Sequence, residues 1–260
     1  MRKVPKVKLG DTGLSVSKLG FGTYEFGVAS FGINPEEGGR ILTESHDLGV
    51  SLWDTSDDYS SHPHVAAGLR LVERDDVVVS TKTSARTRSQ ATKSLQNSLK
   101  ELGTEYVDVF LLHEVKTDWL KDSREVIREL EHEKKVGHLK AIGLSTHSVN
   151  VVKEASRFEA LDVIMTICCK ADQSMISKYP DHIPLEDGSI EEMIEATRSA
   201  HKSGKAVIAM KVLGTSAPPL IADYRSAIES VARLDFVDAM IIGMRNLDQV
   251  KKNVRVILAC

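Results

Sequence analysis

Four titratable residues stand at or just beyond the ends of short apolar runs: Asp54 after Ser51-Leu52-Trp53, Tyr59 five positions later, Lys82 after Val77–Thr81, and His113 after Val107–Leu112. Together they suit proton donation by a phenol. A free tyrosine, with a pKa of about 10, is a sluggish acid at neutral pH. A lysine ammonium held against its oxygen favours the phenolate and lowers that value. A shift of about two units corresponds to about 2.7 kcal/mol, which one close, partly desolvated ionic contact can supply. Asp54 pairs with Lys82 in this scheme, and His113 donates a hydrogen bond to the substrate oxygen. Taken singly, Asp54 and His113 read as hydrogen-bonded strand ends, Lys82 as a solvated loop lysine and Tyr59 as a half-buried aromatic. Convergence of all four is what points to catalysis. A second chemistry uses Asp54, Asp57, Asp58, His62, His64, His113 and His147 as metal ligands of a hydrolase, with His62-Pro63-His64 as its nearest approach to a motif. It leaves Tyr59 and Lys82 without a role, and the His62 pair opens a helix.

The elements that must hold these residues are legible as alternation. Apolar runs rich in Val, Ile and Leu occur at Lys18–Gly22, Val50–Asp54, Val77–Thr81, Val107–Leu112, Leu139–Ser145, Val163–Ile167, Ala206–Lys211 and Ala239–Ile242. Their continuous apolar character suits strands buried on both faces of a parallel sheet. Amphipathic stretches lie between them. Asn34-Pro35-Glu36-Glu37 reads as a helix start, with Gly49 as its stop, and Ser89–Leu102 carries Ala91, Leu95, Leu99 and Leu102 on one face before Gly103. Eight such units predict an α/β fold, the (β/α)₈ barrel known as the TIM barrel, as one domain over residues 1–260. Val7-Lys8-Leu9 and Leu14-Ser15-Val16 around Asp11-Thr12-Gly13 predict an N-terminal β-hairpin capping the barrel floor. Active sites of such barrels form at the C-terminal strand ends, where the four residues fall.

The chain has 260 residues, 42% hydrophobic and 27% charged, with a formal net charge of −3. These values exclude disorder and a disulfide scaffold and give no bulk electrostatic case for nucleic acid or an acidic membrane. No apolar run reaches the length of a membrane span, and MRKVPKVKLGDTG lacks the apolar core of a secretory signal. Three cysteines, Cys168, Cys169 and Cys260, form no framework; the adjacent pair reads as small buried hydrophobes. The expectation is a cytoplasmic protein whose partner is a small molecule. Oligomeric state is not legible.

The sequence resembles the aldo-keto reductase family along most of its length. The resemblance is carried by Leu9-Gly10-Asp11-Thr12-Gly13-Leu14, Leu19-Gly20-Phe21-Gly22-Thr23, Trp53-Asp54-Thr55 with Tyr59, Ser80-Thr81-Lys82 and Leu102-Gly103-Thr104-Glu105-Tyr106-Val107-Asp108. Leu111-Leu112-His113, Ile142-Gly143-Leu144-Ser145, Gly243-Met244-Arg245 and Gln249 with Asn253 complete it. The resemblance implies an oxidoreductase transferring hydride between NADP(H), or NAD(H), and an aldehyde or ketone. The family's catalytic tetrad falls on Asp54, Tyr59, Lys82 and His113, with Tyr59 as general acid. Cofactor contacts fall on Gly22, Thr23 and Tyr24 after the first run and on Ser145 at the carboxamide. Met210, Lys211, Leu213 and Thr215 serve the nicotinamide and pyrophosphate, and Gly243, Arg245, Gln249 and Asn253 the adenosine end. Ser145 and Arg245 read almost equally well as a helix cap and a surface charge. Arg245, with Lys251 and Lys252, favours the 2′-phosphate of NADPH. Thr146, Met165, Met210 and Lys252 depart from the family's usual Asn, Gln, aromatic and acidic residues, and the chain stops at Cys260, before the usual C-terminal specificity loop. These departures imply a loosely held cofactor and an open substrate pocket. They also keep a non-catalytic NADP(H)-binding regulatory module in view as the alternative.

Overall fold

A computed structural model describes residues 2–28, 31–169, 185–213 and 224–260. Eight parallel strands close into a barrel in the order β10-β3-β4-β5-β6-β7-β8-β9. They are β3 (Leu19–Gly22), β4 (Leu52–Asp54), β5 (Val78–Thr83), β6 (Val107–Leu112), β7 (Leu139–Thr146), β8 (Val163–Ile167), β9 (Ala206–Met210) and β10 (Ala239–Gly243). The eight runs expected from sequence all appear, within two residues at each boundary. Nearly every strand residue is buried, which is why the sequence shows runs rather than alternation.

Alternation survives in which core each residue joins. Leu52, Val78, Val109, Leu111, Ala141, Val163, Met165, Ile208, Ala239 and Ile241 fill the barrel interior. Trp53, Val79, Phe110, Leu112, Ile142, Leu144, Ile164, Val207 and Ile242 face the helices instead. Continuing the inward positions in one or two steps of two residues reaches Asp54, Ser80 and Lys82, His113, Ser145, Met210 and Gly243. The barrel's top layer is therefore where its inward pattern changes from aliphatic to polar. Packing there leaves little slack: a Cβ on Gly143 would come within 2.1 Å of the Val163 carbonyl oxygen.

The hairpin β1 (Lys6–Lys8) and β2 (Ser15–Ser17) pairs Val7 with Val16 and closes the opposite end. Leu9 and Val16 complete the interior cluster from below. Gly10, at φ +49°, lies so close to β9 that a Cβ would approach Ala206 to 2.8 Å, so glycine meets both requirements.

The described helices are α1 (Pro35–Asp47), α2 (His62–Leu69), α3 (Arg88–Leu102), α4 (Thr117–Asp122), α5 (Arg124–Val136), α6 (Val149–Ala155), α7 (Ile190–Lys202), α8 (Tyr224–Ala232) and α9 (Leu247–Ile257). Their ends follow the local chemistry. Asn34 accepts from the Glu37 N–H with Pro35 at the first helical position. Thr87 and Gln90 form a capping box, and Gly103 ends α3 in the left-handed region at φ +64°. No described helix is long and apolar enough to cross a membrane. Cys168 and Cys169 are buried free thiols, and burial pushes the Cys168 thiol up to about 12.

Candidate active site

A cavity of about 340 Å³ opens at the C-terminal ends of the strands. Asp54, Tyr59, Lys82 and His113 line one side, and Gln249, Lys252 and Asn253 of α9 line the other. Between them lie Gly22, Tyr24, Glu25, Glu114, Ser145, His147, Met165, Met210, Lys211, Leu213 and Gly243.

The centre of the first side is an ion pair. Lys82 Nζ donates to Asp54 Oδ2 at 2.6 Å and to the Thr55 carbonyl oxygen at 2.7 Å. The Ser80 hydroxyl donates to Asp54 Oδ1 at 3.0 Å, so both carboxylate oxygens are occupied. With Lys82 1% and Asp54 3% exposed, the pair is almost dry, and removing either partner would strand a buried charge.

Tyr59 arrives by a turn after β4, where the Asp57 N–H donates to Lys82 O and the Tyr59 N–H to Ser56 O. Its ring lies 4.8 Å from Lys82 Nζ and meets Tyr24 and His113 edge-on, at centroid distances of 5.0 and 5.6 Å. Its hydroxyl makes no hydrogen bond among the described residues. This corrects the expected electrostatics. Lys82 gives two of its three N–H bonds to Asp54 and Thr55 and makes no hydrogen bond to the phenol oxygen, standing instead over the ring. Burial, followed by the charges of Asp54, Asp58 and Glu114, pushes the Tyr59 phenol well above its ordinary value. Tyr59 is thus a neutral phenol that holds its proton firmly until something else compensates the negative charge.

His113 is anchored through its backbone N–H to Thr83 O at 2.8 Å. Its Nδ1 lies 3.3 Å from Ser56 Oγ and 3.2 Å from Asp58 Oδ2. Burial raises the Asp58 carboxyl, but hydrogen bonds from His113 and Ser56 outweigh it and bring the group down to about 2. At neutral pH Asp58 is therefore a carboxylate beside the ring.

The other side contains groups without partners. Lys211 and Asn253 line the cavity and make no hydrogen bond or ion pair among the described residues. Lys211 sits at φ +59°, costly backbone for a non-glycine residue, and burial lowers its ammonium pKa while Glu114 pulls it back up. Glu114, at φ +49°, donates its N–H to Ser145 Oγ at 3.0 Å, which leaves the Ser145 hydroxyl proton available. His147 is 3% exposed, and its Nε2 has no partner. Burial and then Lys211 bring it down to about 4, so its ring is neutral.

Two of the described sequence-predicted cofactor residues stand apart from the cavity lining. Thr23 turns its hydroxyl to Asp54 O at 2.9 Å and Ser61 Oγ at 2.8 Å, tying β3 to β4. Arg245 lies 3.2 Å from Glu25 and 4.5 Å over the Phe31 ring. Thr215 falls outside the described residues. Of the family departures, Thr146 Oγ1 donates to Val115 O at 2.7 Å and is structural, whereas Met165 lines the cavity. Lys252 pairs with Asp248 at 2.8 Å on the exposed face of α9. The hydrolase ligand pair is turned apart: His62 bridges Glu101 and Thr81, and His64 contacts Ile33 O. Among the described residues no group of three or more His, Cys, Asp or Glu side chains is placed to hold a metal ion.

Residues 18–218 match the model of the aldo/keto reductase family. The chain belongs to that family. Similar proteins include L-galactose dehydrogenase of Arabidopsis thaliana, 24% identical over 98% of this chain and 88% of its own. The aldo-keto reductase YhdN of Bacillus subtilis is 27% identical over 61% of this chain and 51% of its own. The chain thus spans about half the length of that relative, and likewise of a soybean one. A Pseudomonas aeruginosa structure assigned to the aldo-keto reductases superposes with a TM-score of 0.80 at 26% identity, covering 100% of this chain and 98% of that one. Aldo-keto reductase AKR11C1 of Bacillus halodurans shares the fold, with a TM-score of 0.77 at 23% identity over 100% of this chain and 92% of that one.

Glu25, Glu114 and the Asp58–His113 pairing lay outside the sequence reading of catalysis. Glu114 directly follows a strand-end histidine, and Asp58 directly precedes the tyrosine. Extending the search by one residue from each mouth position would have found both.

Proposed function

We propose that the protein is an NADPH-dependent oxidoreductase reducing an aldehyde or ketone to an alcohol. The observation that carries this reading is the Tyr59 hydroxyl, without a hydrogen bond among the described residues, at the cavity wall beside the Asp54–Lys82 pair and His113. A bound nicotinamide would supply the hydride to the carbonyl carbon. Tyr59 gives its proton to the oxygen as charge develops there. The Lys82 ammonium, 4.8 Å from the centre of the Tyr59 ring, stabilises the phenolate left behind, and Asp54 holds Lys82 in place at 2.6 Å. The undonated Ser145 hydroxyl proton and the unpartnered Asn253 amide suit a carboxamide and an adenosine. A Cβ on Gly243 would meet nothing nearer than 3.8 Å, so the wall beside Glu25 is open to a ligand.

The preference for NADPH rests on Arg245 and Lys252. Each already has a carboxylate, Glu25 and Asp248, so a 2′-phosphate must compete for them. Relatives differ on this point: one Escherichia coli relative is an NADH-specific methylglyoxal reductase, and a Bombyx mori aldo-keto reductase of the same fold is solved with NADP. Titration of NADPH and NADH fluorescence, followed by turnover of 4-nitrobenzaldehyde, tests the reading. Binding with turnover is the expected result. Binding without turnover of any aldehyde tried favours the regulatory module, and failure to bind either nucleotide removes the reductase reading.

A further inference from the structure

Glu114 occupies a backbone position that its side chain does nothing to stabilise. It sits at φ +49°, a left-handed conformation that suits glycine or asparagine and is costly for a longer side chain. Ser145 clamps this turn from both directions. The Glu114 N–H donates to Ser145 Oγ at 3.0 Å, and the Val115 N–H to Ser145 O at 2.8 Å. The Glu114 carboxylate makes no hydrogen bond or ion pair among the described residues, yet it is exposed at the cavity lining with His113 and Tyr59. Lys116, two residues on, lies 4.0 Å from Glu186 instead. A strained residue with an unpaired charge beside a reaction site is the pattern of a side chain kept for what it meets.

The charges around the cavity are sorted by wall. Asp58, a carboxylate at neutral pH, lies 3.2 Å from His113 Nδ1 and adds a second anion to the Glu114 end. Asp54 is matched by Lys82 at 2.6 Å. Lys211, on the β9 wall, is the one lining cation without a carboxylate partner among the described residues, and Lys252 is held by Asp248. A bound dinucleotide brings phosphate charges of its own, which draw on those cations and leave the Tyr59 end negative. We propose that Glu114 is a specificity-determining residue: it reserves the Tyr59 end of the cavity for carbonyl compounds that are uncharged or carry an ammonium group, and turns away those with a carboxylate or phosphate near the carbonyl. Like charges brought together in a partly desolvated cavity repel, whereas a hydroxyl, amide or ammonium can donate to the Glu114 oxygens.

The kinetic form of this proposal rests on carbonyl reduction, and the experiment separates the two. 4-Formylbenzamide and 4-carboxybenzaldehyde share a shape and differ by one charge. Comparing their kcat/KM ratio between proteins removes their difference in intrinsic reactivity. The wild type is expected to favour the amide, and Glu114→Gln to lower the amide-to-carboxylate ratio by about five- to tenfold. Glu114→Asp should retain most of the preference. Glu114→Gly, which suits the φ +49° backbone, should lose it with no fall in melting temperature, so a folding defect cannot mimic the effect. Raising the ionic strength from about 0.02 M to about 0.5 M should shrink the wild-type ratio more than that of Glu114→Gln. Dissociation constants of the alcohols 4-(hydroxymethyl)benzamide and 4-(hydroxymethyl)benzoate repeat the comparison without turnover. A ratio unchanged in Glu114→Gln, or a wild type that favours the carboxylate, overturns the proposal. No turnover, with the amide alcohol bound more tightly by the wild type and that preference lost in Glu114→Gln, overturns carbonyl reduction and leaves the Glu114 assignment standing. No turnover and no preference between the alcohols overturns both.

Discussion

The two sides of the cavity differ in how their polar groups are satisfied. On the β4–β6 side, Asp54, Lys82 and Ser80 are joined by contacts of 2.6 and 3.0 Å, and His113, Asp58 and Ser56 by contacts of 3.2 and 3.3 Å; the Tyr59 hydroxyl and His113 Nε2 have no hydrogen bond among the described residues. On the β9–α9 side, Lys211, Asn253 and the Nε2 of His147 have no partner among the described residues, and the cations Arg245 and Lys252 are held by nearby carboxylates. Groups that act on one another are assembled by the fold itself. Groups that act on a ligand remain unpaired or borrow a temporary partner, because pairing them permanently would oppose binding. The first side therefore resembles a machine already set, and the second a mould awaiting its contents.

That contrast can be broken most forcefully at Lys82. Lys82→Met leaves the Asp54 carboxylate buried beside an apolar chain, with an expected loss of about 3–5 kcal/mol in urea unfolding at pH 7. The double variant Asp54→Asn/Lys82→Met should regain part of it, because no buried charge is then stranded. Equal destabilisation of the single and double variants would mean the pair is not the closed unit described above.

On the opposite side the expected effect is smaller and depends on pH. His147 is lowered from 6.5 to about 4 in the folded protein. Between those values the unfolded chain holds a proton that the folded chain lacks, so stability rises with pH across this window and is lost as pH falls through it. The full span corresponds to about 3 kcal/mol. Unfolding free energies at pH 7 and pH 4.5 should converge in His147→Gln relative to wild type. Asp58 works in a lower window: its stabilising contribution is present above 3.8 and is lost as pH falls toward 2.

The smallest effect is expected at Glu25, which occupies Arg245 and whose carboxyl burial raises while Arg245 opposes the rise. Glu25→Gln frees the guanidinium and should raise the ratio of NADPH to NADH affinity by about 3–10-fold. An unchanged ratio would remove Arg245 from the 2′-phosphate account.

The same contrast explains what could be read from the amino-acid sequence. The barrel was legible because each strand is apolar on both faces and several helix starts carry ordinary signals, such as Asn34-Pro35 or Thr87 with Gln90. The convergence of the four residues on one cavity was legible because strand-end chemistry is local: Asp54, Lys82 and His113 each end an apolar run, and Tyr59 follows in the loop after the first. The direction of Lys82 was not, since a sequence does not say whether an ammonium faces a phenol oxygen or the ring behind it. Nor were Glu25 against Arg245 or Asp58 against His113, which join loops of different strands at a distance set by barrel closure. The hydrogen bonds of Thr23 were hidden for the same reason: its hydroxyl meets Asp54 O and Ser61 Oγ, contacts that exist only once β3 and β4 are side by side.

The central claim is that Tyr59 is the proton donor, and the direct measurement is 4-nitrobenzaldehyde reduction by Tyr59→Phe, with NADPH affinity determined on the same preparation. Loss of one hydroxyl should lower turnover by about a thousandfold or more and leave the dissociation constant within about twofold. A Tyr59→Phe protein that binds NADPH and still reduces the aldehyde near the wild-type rate would contradict the account.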